Sequence, residues 1–291
     1  MKIILANPSV APHVKQSALA YEEAGMLDKF CTTFFRHKEK SAGSFPLPES
    51  VLRELNRRSF DQLPPERFMS RPFPELLRIA ASRFAGPLIT DRIWEWAETG
   101  FDAWVADLVR KRRPDAVHVY EHAALESLQA ARKNGVMGIY EQTSAHHATF
   151  SKILQAQLQK YPQIRTEALA LKTDEKSVRR NARRDRELQL ADVIICNSTF
   201  TARSLQAAGI SMEKIIVLPL GFPEIKTSAK SASGPVVFLH AGNQSVTKAS
   251  HLVYEAWRQC AFAETEAELW LIGNMALPEN CRADLPGKVV I

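Results

Sequence analysis

The clearest hydrophobic pattern in the chain is a pair of short apolar runs on either side of one amphipathic segment. Residues 192–196 begin with an aspartate and continue as an unbroken apolar run, and residues 214–218 form a second such run. Continuous runs of this length are typical of parallel strands that are covered on both faces. Ser198 and Gly209 are typical of the N-cap and the end of a helix between them. The pattern therefore predicts a strand–helix–strand unit.

The same alternation predicts the fold class of most of the chain. Further strand-type runs lie at residues 2–6, 28–35, 115–120 and 137–141. Helical periodicity lies between them, at residues 13–24, 122–134, 148–160 and 174–190. Strands that alternate with helices form parallel sheets, so we expect an α/β protein that begins with a Rossmann-like domain.

Residues 36–112 interrupt this alternation. Six prolines between residues 46 and 74 divide the segment into short pieces, and the apolar spacing at 51–55 and 76–80 favours helix over strand. A longer helix is predicted at 89–111, where the aromatic side chains are expected to serve packing. We therefore expect a helical insertion at 36–112 within the first domain.

A polar segment of small residues marks the start of a second domain. It ends at Gly234 and has the composition of a linker. The predicted organisation is a first domain at 1–226, a linker at 227–234 and a second α/β domain at 235–291. A helix capped by Ser250 and only two or three strands are predicted in the second domain. Such a sheet has an uncovered edge and a small core, so we expect this domain to be incomplete and the chain to be truncated.

Composition and charge narrow the class of protein. Hydrophobic residues make up 45% and charged residues 24% of the chain, as in ordinary globular proteins, and no apolar run reaches the ~20 residues of a membrane helix. The four cysteines form no closely spaced pair, which favours a reducing cytoplasm without disulfides. Residues 1–230 hold 34 Lys+Arg against 26 Asp+Glu, whereas the remainder holds 4 against 6. The basic excess favours an anionic partner or an anionic membrane surface.

The sharpest charge feature is the run of five arginines within residues 179–186. No aromatic residues interleave with them, so we expect no nucleic-acid binding. On a helix these side chains spread around the circumference beside Asp185 and Glu187. We predict a solvated helix face with ion pairs, with an anionic acceptor or a membrane as the alternative ligand.

The first pattern, together with its flanking residues, resembles a family signature. The matching residues are Glu187, Ala191-Asp192, Ser198-Thr199-Phe200, Gly209, Lys214-Ile215 and Pro219-Leu220-Gly221. Together they resemble the core pattern of family 4 retaining glycosyltransferases of the GT-B type. Further segments resemble other parts of the same family, namely 113–118, 141–146, 238–248, 254–257 and 267–273. The resemblance implies a GT-B-like fold with two Rossmann-like domains, the first on the acceptor side and the second binding the nucleotide-sugar.

The resemblance also implies the donor site. Lys248 matches a lysine that holds the donor diphosphate, and Gly242 and Asn243 lie in the same loop. Asn243 stands where the family usually has an arginine, and Ala249 replaces the glycine that usually follows the lysine. The paired glutamates of the family would lie beyond Ile291. Diphosphate binding would therefore depend on one lysine together with backbone amides.

The remaining candidate residues lie on the acceptor side. His146 occupies the loop in which the family keeps a histidine beside the donor sugar, and it is the candidate catalytic residue. His147 is an alternative, and both histidines could instead be surface residues that cap a helix beginning near residue 148. Glu141 is expected to orient this loop and His13 to support the acceptor site. No metal and no cofactor is expected.

The implied activity is transfer of a sugar from a nucleotide-sugar donor to a hydroxyl of a glycan or lipid-linked acceptor, with retention of the anomeric configuration. The expected location is the cytoplasm, with a peripheral contact at the inner face of an anionic membrane. Two alternatives remain open. One is a degenerate, non-catalytic binding protein of this fold, and the other is a sugar-nucleotide epimerase of similar fold.

Overall fold

The computed structural model describes residues 1–35, 59–166, 169, 175–222, 224 and 234–291. The chain divides into two compact units. The first unit comprises Met1–His146 and Val178–Phe222, and the second comprises His147–Ser177 and Pro223–Ile291. Most of the predicted linker and residues 36–58 of the predicted insertion lie outside the described residues, and the predicted domain boundaries stay a prediction.

The first unit is built on a parallel sheet of seven strands. The strands are β1 Ile3–Ala6, β2 Leu27–Thr32, β3 Phe68–Ser70, β4 Ala116–Tyr120, β5 Met137–Gln142, β6 Val193–Cys196 and β7 Ile215–Val217. Their order is β3-β2-β1-β4-β5-β6-β7. The order in which strands are added to the sheet therefore reverses between β1 and β4. Open α/β sheets bind ligands at the carboxyl ends of the strands at such a switch point.

Six helices are described between the start of the chain and β6. They are α1 Pro12–Glu23, α2 Pro72–Phe84, α3 Pro87–Arg112, α4 Leu125–Lys133, α5 His147–Lys160 and α6 Glu175–Leu190. Of these, α5 and the first residues of α6 belong to the second unit. A seventh, α7 Thr199–Ala207, connects β6 to β7. Ser198 caps α7, since its Oγ accepts a hydrogen bond from the Thr201 amide at 3.1 Å. The strand–helix–strand unit is thus present as predicted, with ends that differ by a residue or two.

The described part of the predicted insertion is mostly helical but is not peripheral. It includes the short strand Phe68–Ser70, which pairs with β2 at the sheet edge and which the apolar spacing did not predict. Helix α3 is the crossover from β3 to β4, and Phe101, Val105 and Val109 on it belong to the main hydrophobic core. Fully burying side chains of this size contributes roughly 1.5–3 kcal/mol each. The long helix therefore forms one wall of the domain.

The Ala-Asp pair before β6 has a structural role. The Asp192 carboxylate accepts a hydrogen bond from the Gly138 amide at 2.8 Å, which ties the start of β6 to β5. A Cβ at Gly138 would lie 2.7 Å from Leu128 Cδ2, so glycine allows α4 to pack closely on β5. These residues of the signature support the sheet.

The second unit contains a parallel sheet of three strands. They are β8 Val236–Ala241, β9 Ala267–Ile272 and β10 Lys288–Val290, in the order β10-β9-β8. Helix α8, Ser250–Cys260, packs Tyr254 and Trp257 into a core that also contains Ile164, which follows α5. The position before this helix is occupied by Ala249, so Ser250 is its first residue and not the predicted N-cap. No helix in the described parts of the chain has both the length and the apolar character needed to span a membrane.

Candidate active site

The loop that follows β4 forms a polar cluster at the carboxyl edge of the first unit's sheet. His122 has a φ of 82°, a left-handed conformation that is uncommon for a residue with a Cβ. The Arg184 guanidinium approaches both ring nitrogens, with Nη2 2.9 Å from Nδ1 and 2.8 Å from Nε2. Glu121 accepts a hydrogen bond from Ser144 Oγ at 2.7 Å, and its Oε1 lies 3.5 Å from Arg184 Nε. We call Glu121, His122, Ser144 and Arg184 the edge cluster.

Two titratable side chains in this region, His122 and Glu98, have strongly shifted pKa values. Burial, assisted by Arg184 and its neighbouring arginines, lowers the pKa of His122 to about 3. The imidazole is therefore neutral at physiological pH and accepts a hydrogen bond from the guanidinium. Burial raises the pKa of Glu98, on α3, to about 7, although the nearby arginines oppose the shift. A left-handed backbone and shifted pKa values at the carboxyl end of a strand are typical of functional sites.

Two carboxylates with fully buried side chains hold the loop in place. Glu187 accepts a hydrogen bond from the His122 amide at 3.3 Å. Asp102 accepts hydrogen bonds from the Ser127 amide at 2.9 Å and from its hydroxyl at 2.6 Å, at the start of α4. Arg183 connects the two acids, at 2.5 Å from Asp102 and 3.2 Å from Glu187. Burial raises the pKa of Glu187 despite this arginine.

The arginine run forms the ion pairs that the sequence predicted, but three of its arginines are half-buried and not on a solvated face. Arg180 lies 2.6 Å from Asp91 and 3.2 Å from Glu95 on α3, and Arg183 and Arg184 make the contacts described above. The acids of α3 at positions 91, 95, 98 and 102 have the spacing of one helix face, and this signal could have predicted the partner surface. The pairing itself joins residues far apart in sequence, which local spacing does not determine.

His146, the predicted catalytic residue, is buried in the loop after β5. Its backbone amide donates to Ser204 Oγ at 2.9 Å, and its Nε2 lies 3.0 Å from Asp185 Oδ1. The helix to which Asp185 belongs and the loop of His146 are thereby joined within the first unit. A carboxylate hydrogen-bonded to an imidazole fixes its tautomer and its orientation. His147 is half-buried and is the first residue of α5, which belongs to the second unit.

Glu141 and His13 lie on the α1 side of the first sheet. Glu141 is buried, and its Oε2 lies 3.1 Å from Nε2 of His118 on β4. The other ring nitrogen of His118 is 3.1 Å from the Tyr21 hydroxyl, so a polar chain runs through the core. His13 makes an edge-on contact with Tyr120, at 5.9 Å between ring centroids. Glu141 is therefore part of a buried polar chain. The prediction that Glu141 orients the loop did not include these partners.

The predicted donor loop follows β8 in the second unit and is held by its backbone. Gly242 has a φ of 128°, and its amide donates to the Ile272 carbonyl at 2.8 Å. A Cβ at Gly273 would lie 2.1 Å from the Gly242 carbonyl oxygen, so the two loops touch backbone to backbone. The fully buried Gln244 accepts a hydrogen bond from Tyr254 at 2.5 Å. The loop therefore has one fixed shape.

In contrast to the buried Gln244, other side chains of this loop are exposed to solvent. Asn243 and Lys248 are exposed, and within the described part of the chain no carboxylate pairs with Lys248. Ala249, with a φ of 55°, precedes α8, and no side chain caps the helix. Ser250 Oγ instead accepts from the Ser245 amide at 2.9 Å. The Ser250 and Leu252 amides at the helix start already donate to the Ser245 and Ala249 carbonyls, at 3.2 and 2.9 Å, so an anion bound here would depend chiefly on Lys248.

The comparison with protein families agrees with the signature. Residues 67–224, more than half of the 291 residues, match the model of Glycosyltransferase Family 4. This match and the two parallel sheets confirm the predicted α/β fold class and the family resemblance. A search of curated proteins found no match.

Solved structures with a similar fold are distant in sequence. Arabidopsis thaliana UGT89C1, complexed with UDP-L-rhamnose, is 14% identical, with 99% of this chain and 68% of that chain covered and a TM-score of 0.49. The lipopolysaccharide outer core galactosyltransferase WaaB is 13% identical, with coverages of 97% and 64% and a TM-score of 0.48. S. aureus MnaA, in a structure with UDP, is 12% identical, with coverages of 100% and 68% and a TM-score of 0.45. The chain thus spans about two thirds of the length of these structures, and likenesses at this level carry no information about substrate.

Proposed function

Because this chain belongs to glycosyltransferase family 4, we propose that it serves the transfer of a sugar from a nucleotide-sugar to an acceptor hydroxyl, with retention of the anomeric configuration. The observation that carries the proposal is the loop between β8 and α8. It combines a fixed backbone, a helix start without a side-chain cap, and Lys248, which pairs with no carboxylate among the residues that the structure describes. These are the features that a diphosphate requires from a binding site.

In this proposal the second unit stabilises the leaving group. Negative charge grows on the diphosphate as the sugar departs, and fixed donors stabilise it without reorganising. Lys248 supplies the positive charge and the Asn243 amide a backbone donor, whereas the Gly242 amide donates to the Ile272 carbonyl and fixes the turn. No metal is required, since the lysine and the helix start would bind the charge directly.

The first unit would position the sugar and the acceptor. The imidazole of His146 is held by Asp185, while Ser204 holds the backbone amide, so the ring is suited to contact the donor sugar in one orientation. Glu141 and His13 would support the acceptor side, and His147 is the alternative to His146. Holding both reactants in one geometry lowers the barrier chiefly by removing their freedom of motion.

We further propose a glycan or lipid-linked acceptor and a cytoplasmic location with a peripheral membrane contact. The basic excess of residues 1–230 and the four free cysteines support these proposals. Part of the basic excess is neutralised internally, because Arg180 and Arg183 pair with acids of α3. The membrane contact would therefore depend on the other basic residues.

Donor binding to the full-length protein tests this function. Isothermal titration with a panel of UDP-, GDP-, ADP- and CMP-sugars should identify at least one ligand. Lys248→Ala should weaken that binding about ten- to hundredfold, the loss expected for one charged hydrogen-bonding group. Lys152→Ala is the matched control, because Lys152 is an exposed lysine of the same unit outside the loop. The proposal fails if no nucleotide-sugar binds, or if both variants bind like the wild type.

One observation favours a second candidate, a non-catalytic nucleotide-sugar-binding protein. Asn243 stands where the family pattern has an arginine, so the loop offers one cation fewer to the leaving group. Product analysis by mass spectrometry separates the candidates. A glycosylated acceptor supports transfer, an unchanged donor supports binding alone, and an isomerised donor would indicate an epimerase.

A further inference from the structure

A mostly apolar cavity of about 460 Å³ lies at the carboxyl ends of β2 and β3, between the start of α2 and the middle of α3. Its lining residues are Thr33, Ser70, Arg71, Pro72, Phe73, Pro74, Trp96, Gly100 and Phe101. We call it the α2–α3 cavity. We propose that it binds the apolar chain of a lipid-linked acceptor, with the acceptor's phosphate on Arg71.

The walls of the cavity keep aromatic surface in contact with solvent. Phe73 is 69% exposed and Trp96 is 49% exposed, whereas Phe101 beneath them is only 2% exposed. Leaving large aromatic side chains exposed forgoes the stabilisation of burial. The volume falls within the range of ~300–1,000 Å³ of small-molecule sites, which are mostly apolar with a few polar groups. The cavity therefore has the size and the lining of a ligand site.

Gly100 provides an independent indication that the α2–α3 cavity must stay open. It lies inside the 26-residue helix α3, where glycine costs about 1 kcal/mol relative to alanine. A Cβ at this position would meet no atom within 4 Å, so no packing contact requires the missing side chain. The residue lines the cavity, and its effect is to keep that wall of the cavity open.

The charge at the cavity selects an anionic ligand. Arg71 is exposed, and none of the described residues forms an ion pair with it; its guanidinium lies 6.0 Å from the Trp104 ring. The nearby Glu75 is neutralised by Arg78 at 3.3 Å. An unpaired guanidinium beside an apolar cavity is complementary to a phosphate that carries an apolar chain.

The lining also argues against a free glycan as the occupant of this cavity. A sugar presents several hydroxyls, and each of them loses free energy when it is buried without a hydrogen-bond partner. Besides Arg71, the hydrogen-bonding side-chain groups of the lining are the Thr33 and Ser70 hydroxyls and the Trp96 indole N–H, and the Thr33 hydroxyl already donates to the Pro8 carbonyl at 2.5 Å. An apolar chain has no such requirement.

The position of the cavity relates it to the acceptor site. Neighbouring strands lie ~4.8 Å apart, and β2 is two strands from β4 in the sheet order, so these two strands are ~10 Å apart. Both features lie at the carboxyl edge of the same parallel sheet. A lipid-linked acceptor with its chain in the cavity would extend its sugar along this edge. The term acceptor rests on the proposed function, whereas binding of the amphiphile does not.

The first experiment measures binding to the full-length protein without any nucleotide-sugar. The probes for isothermal titration are farnesyl phosphate, farnesol and inorganic phosphate, each below its aggregation concentration. We expect farnesyl phosphate to bind at least about tenfold more tightly than either partial probe, because the chain and the phosphate each contribute. Equal binding of inorganic phosphate and farnesyl phosphate would overturn the proposal.

Variants then localise the site. Gly100→Leu should reduce farnesyl phosphate affinity about tenfold or more by filling the cavity, while the added helix propensity maintains folding. Arg71→Gln should weaken farnesyl phosphate but not farnesol. Phe84→Ala and Arg92→Gln are matched controls, being an exposed aromatic and an exposed arginine outside the lining. If Gly100→Leu binds farnesyl phosphate like the wild type and melts at an equal or higher temperature, the cavity is not the site.

The two proposals fail separately. A protein that binds a nucleotide-sugar but not farnesyl phosphate would retain the proposed function and contradict the lipid site. A protein that binds farnesyl phosphate but no nucleotide-sugar would contradict the glycosyltransferase proposal and leave the lipid site in place.

Discussion

The carboxyl edges of the two sheets are held in place by different means. In the first unit, the loop after β4 is held by the buried carboxylates of Asp102 and Glu187, which come from distant helices and share Arg183. In the second unit, the loop after β8 is held by its own backbone, with Gly242 against Gly273. Charged side chains therefore hold the first edge in place, and backbone contacts hold the second.

This difference corresponds to the ligands that we propose for the two edges. A diphosphate is similar in every nucleotide-sugar, and backbone amides with one lysine suffice to bind it. Acceptors vary, and side chains can change by mutation without altering the path of the backbone. The first edge accordingly carries the edge cluster, which charged residues of α3 and α6 support.

The largest effect should follow from removing a charged support of the first edge. Asp102→Ala leaves the Ser127 amide without its acceptor and Arg183 with one acid fewer, a change that costs about 3–5 kcal/mol of unfolding free energy. Denaturant unfolding measures this cost, and hydrogen exchange should show faster exchange in residues 121–127. Asp107→Ala is the control, because Asp107 is an exposed acid of the same helix. Unchanged exchange in the loop would show that the carboxylate does not hold it.

The second edge should be most sensitive to an added methyl group. Gly273→Ala places a Cβ 2.1 Å from the Gly242 carbonyl oxygen at a φ of 131°, so the two loops must separate, at a cost of about 3 kcal/mol. Nucleotide-sugar binding should be lost with it. Gly242→Ala separates strain from contact, since its φ is 128° but its Cβ would meet nothing within 4 Å. Similar unfolding free energies for the two variants would contradict the importance of the backbone contact.

The loop of the second edge could be located from the sequence more directly than the contacts of the first edge, because its residues are close together along the chain. Gly242, Lys248 and their loop lie between one strand and the next helix, where short-range pattern and family signature both apply. Glu187 was recognised as part of the signature, but its contact with the His122 amide spans 65 residues, and the contact of Arg183 with Asp102 spans 81. Such pairs depend on how helices pack, which periodicity does not specify.

Prediction of the fold from the sequence has the same limit, because local pattern does not specify contacts between distant residues. Buried strands and the helix capped by Ser198 were predictable because each depends on neighbouring residues. The edge strand β3 was not predicted, because it has only three residues and its pairing with β2 is what defines it. Helix α3 was predicted as a helix, but its place as a wall of the main core depends on Phe101 and its neighbours meeting α4.

A smaller effect on stability should follow from removing the carboxylate of Glu98. Burial disfavours its charged form, whereas Asp102 and Glu187 are paired with Arg183. Burial raises the pKa of Glu98 from 4.5 to about 7, so the folded state binds more protons than the unfolded state between these values. The contribution of Glu98 to stability is therefore lost as pH rises from about 4.5 to about 7. Glu98→Gln should be more stable than the wild type by about 1–3 kcal/mol at pH 8, and the difference should vanish near pH 4.5.

Thermal melts across this pH range test the effect, with Glu126→Gln as the control because Glu126 is an exposed acid at the start of α4. His122 has the opposite slope, since its pKa is lowered from 6.5 to about 3 and stability is lost as pH falls through that window. The histidine is present in both proteins, so the difference between them isolates Glu98. A difference that does not change with pH would contradict the raised pKa.

The smallest effect concerns Ala249, which stands where the family pattern has a glycine. Its φ of 55° is left-handed, a conformation that costs a residue with a Cβ roughly 1–2 kcal/mol. Ala249→Gly removes this cost but makes the unfolded chain more flexible, so the net gain should be about 0.5–1 kcal/mol. Ala261→Gly is a matched control, because Ala261 ends the same helix with a φ of 45° and lies outside the donor loop. If the backbone alone shapes the second edge, both variants should be stabilised alike and donor affinity should stay the same. A change in donor affinity in Ala249→Gly alone would mean that the strained alanine itself sets the position of Lys248.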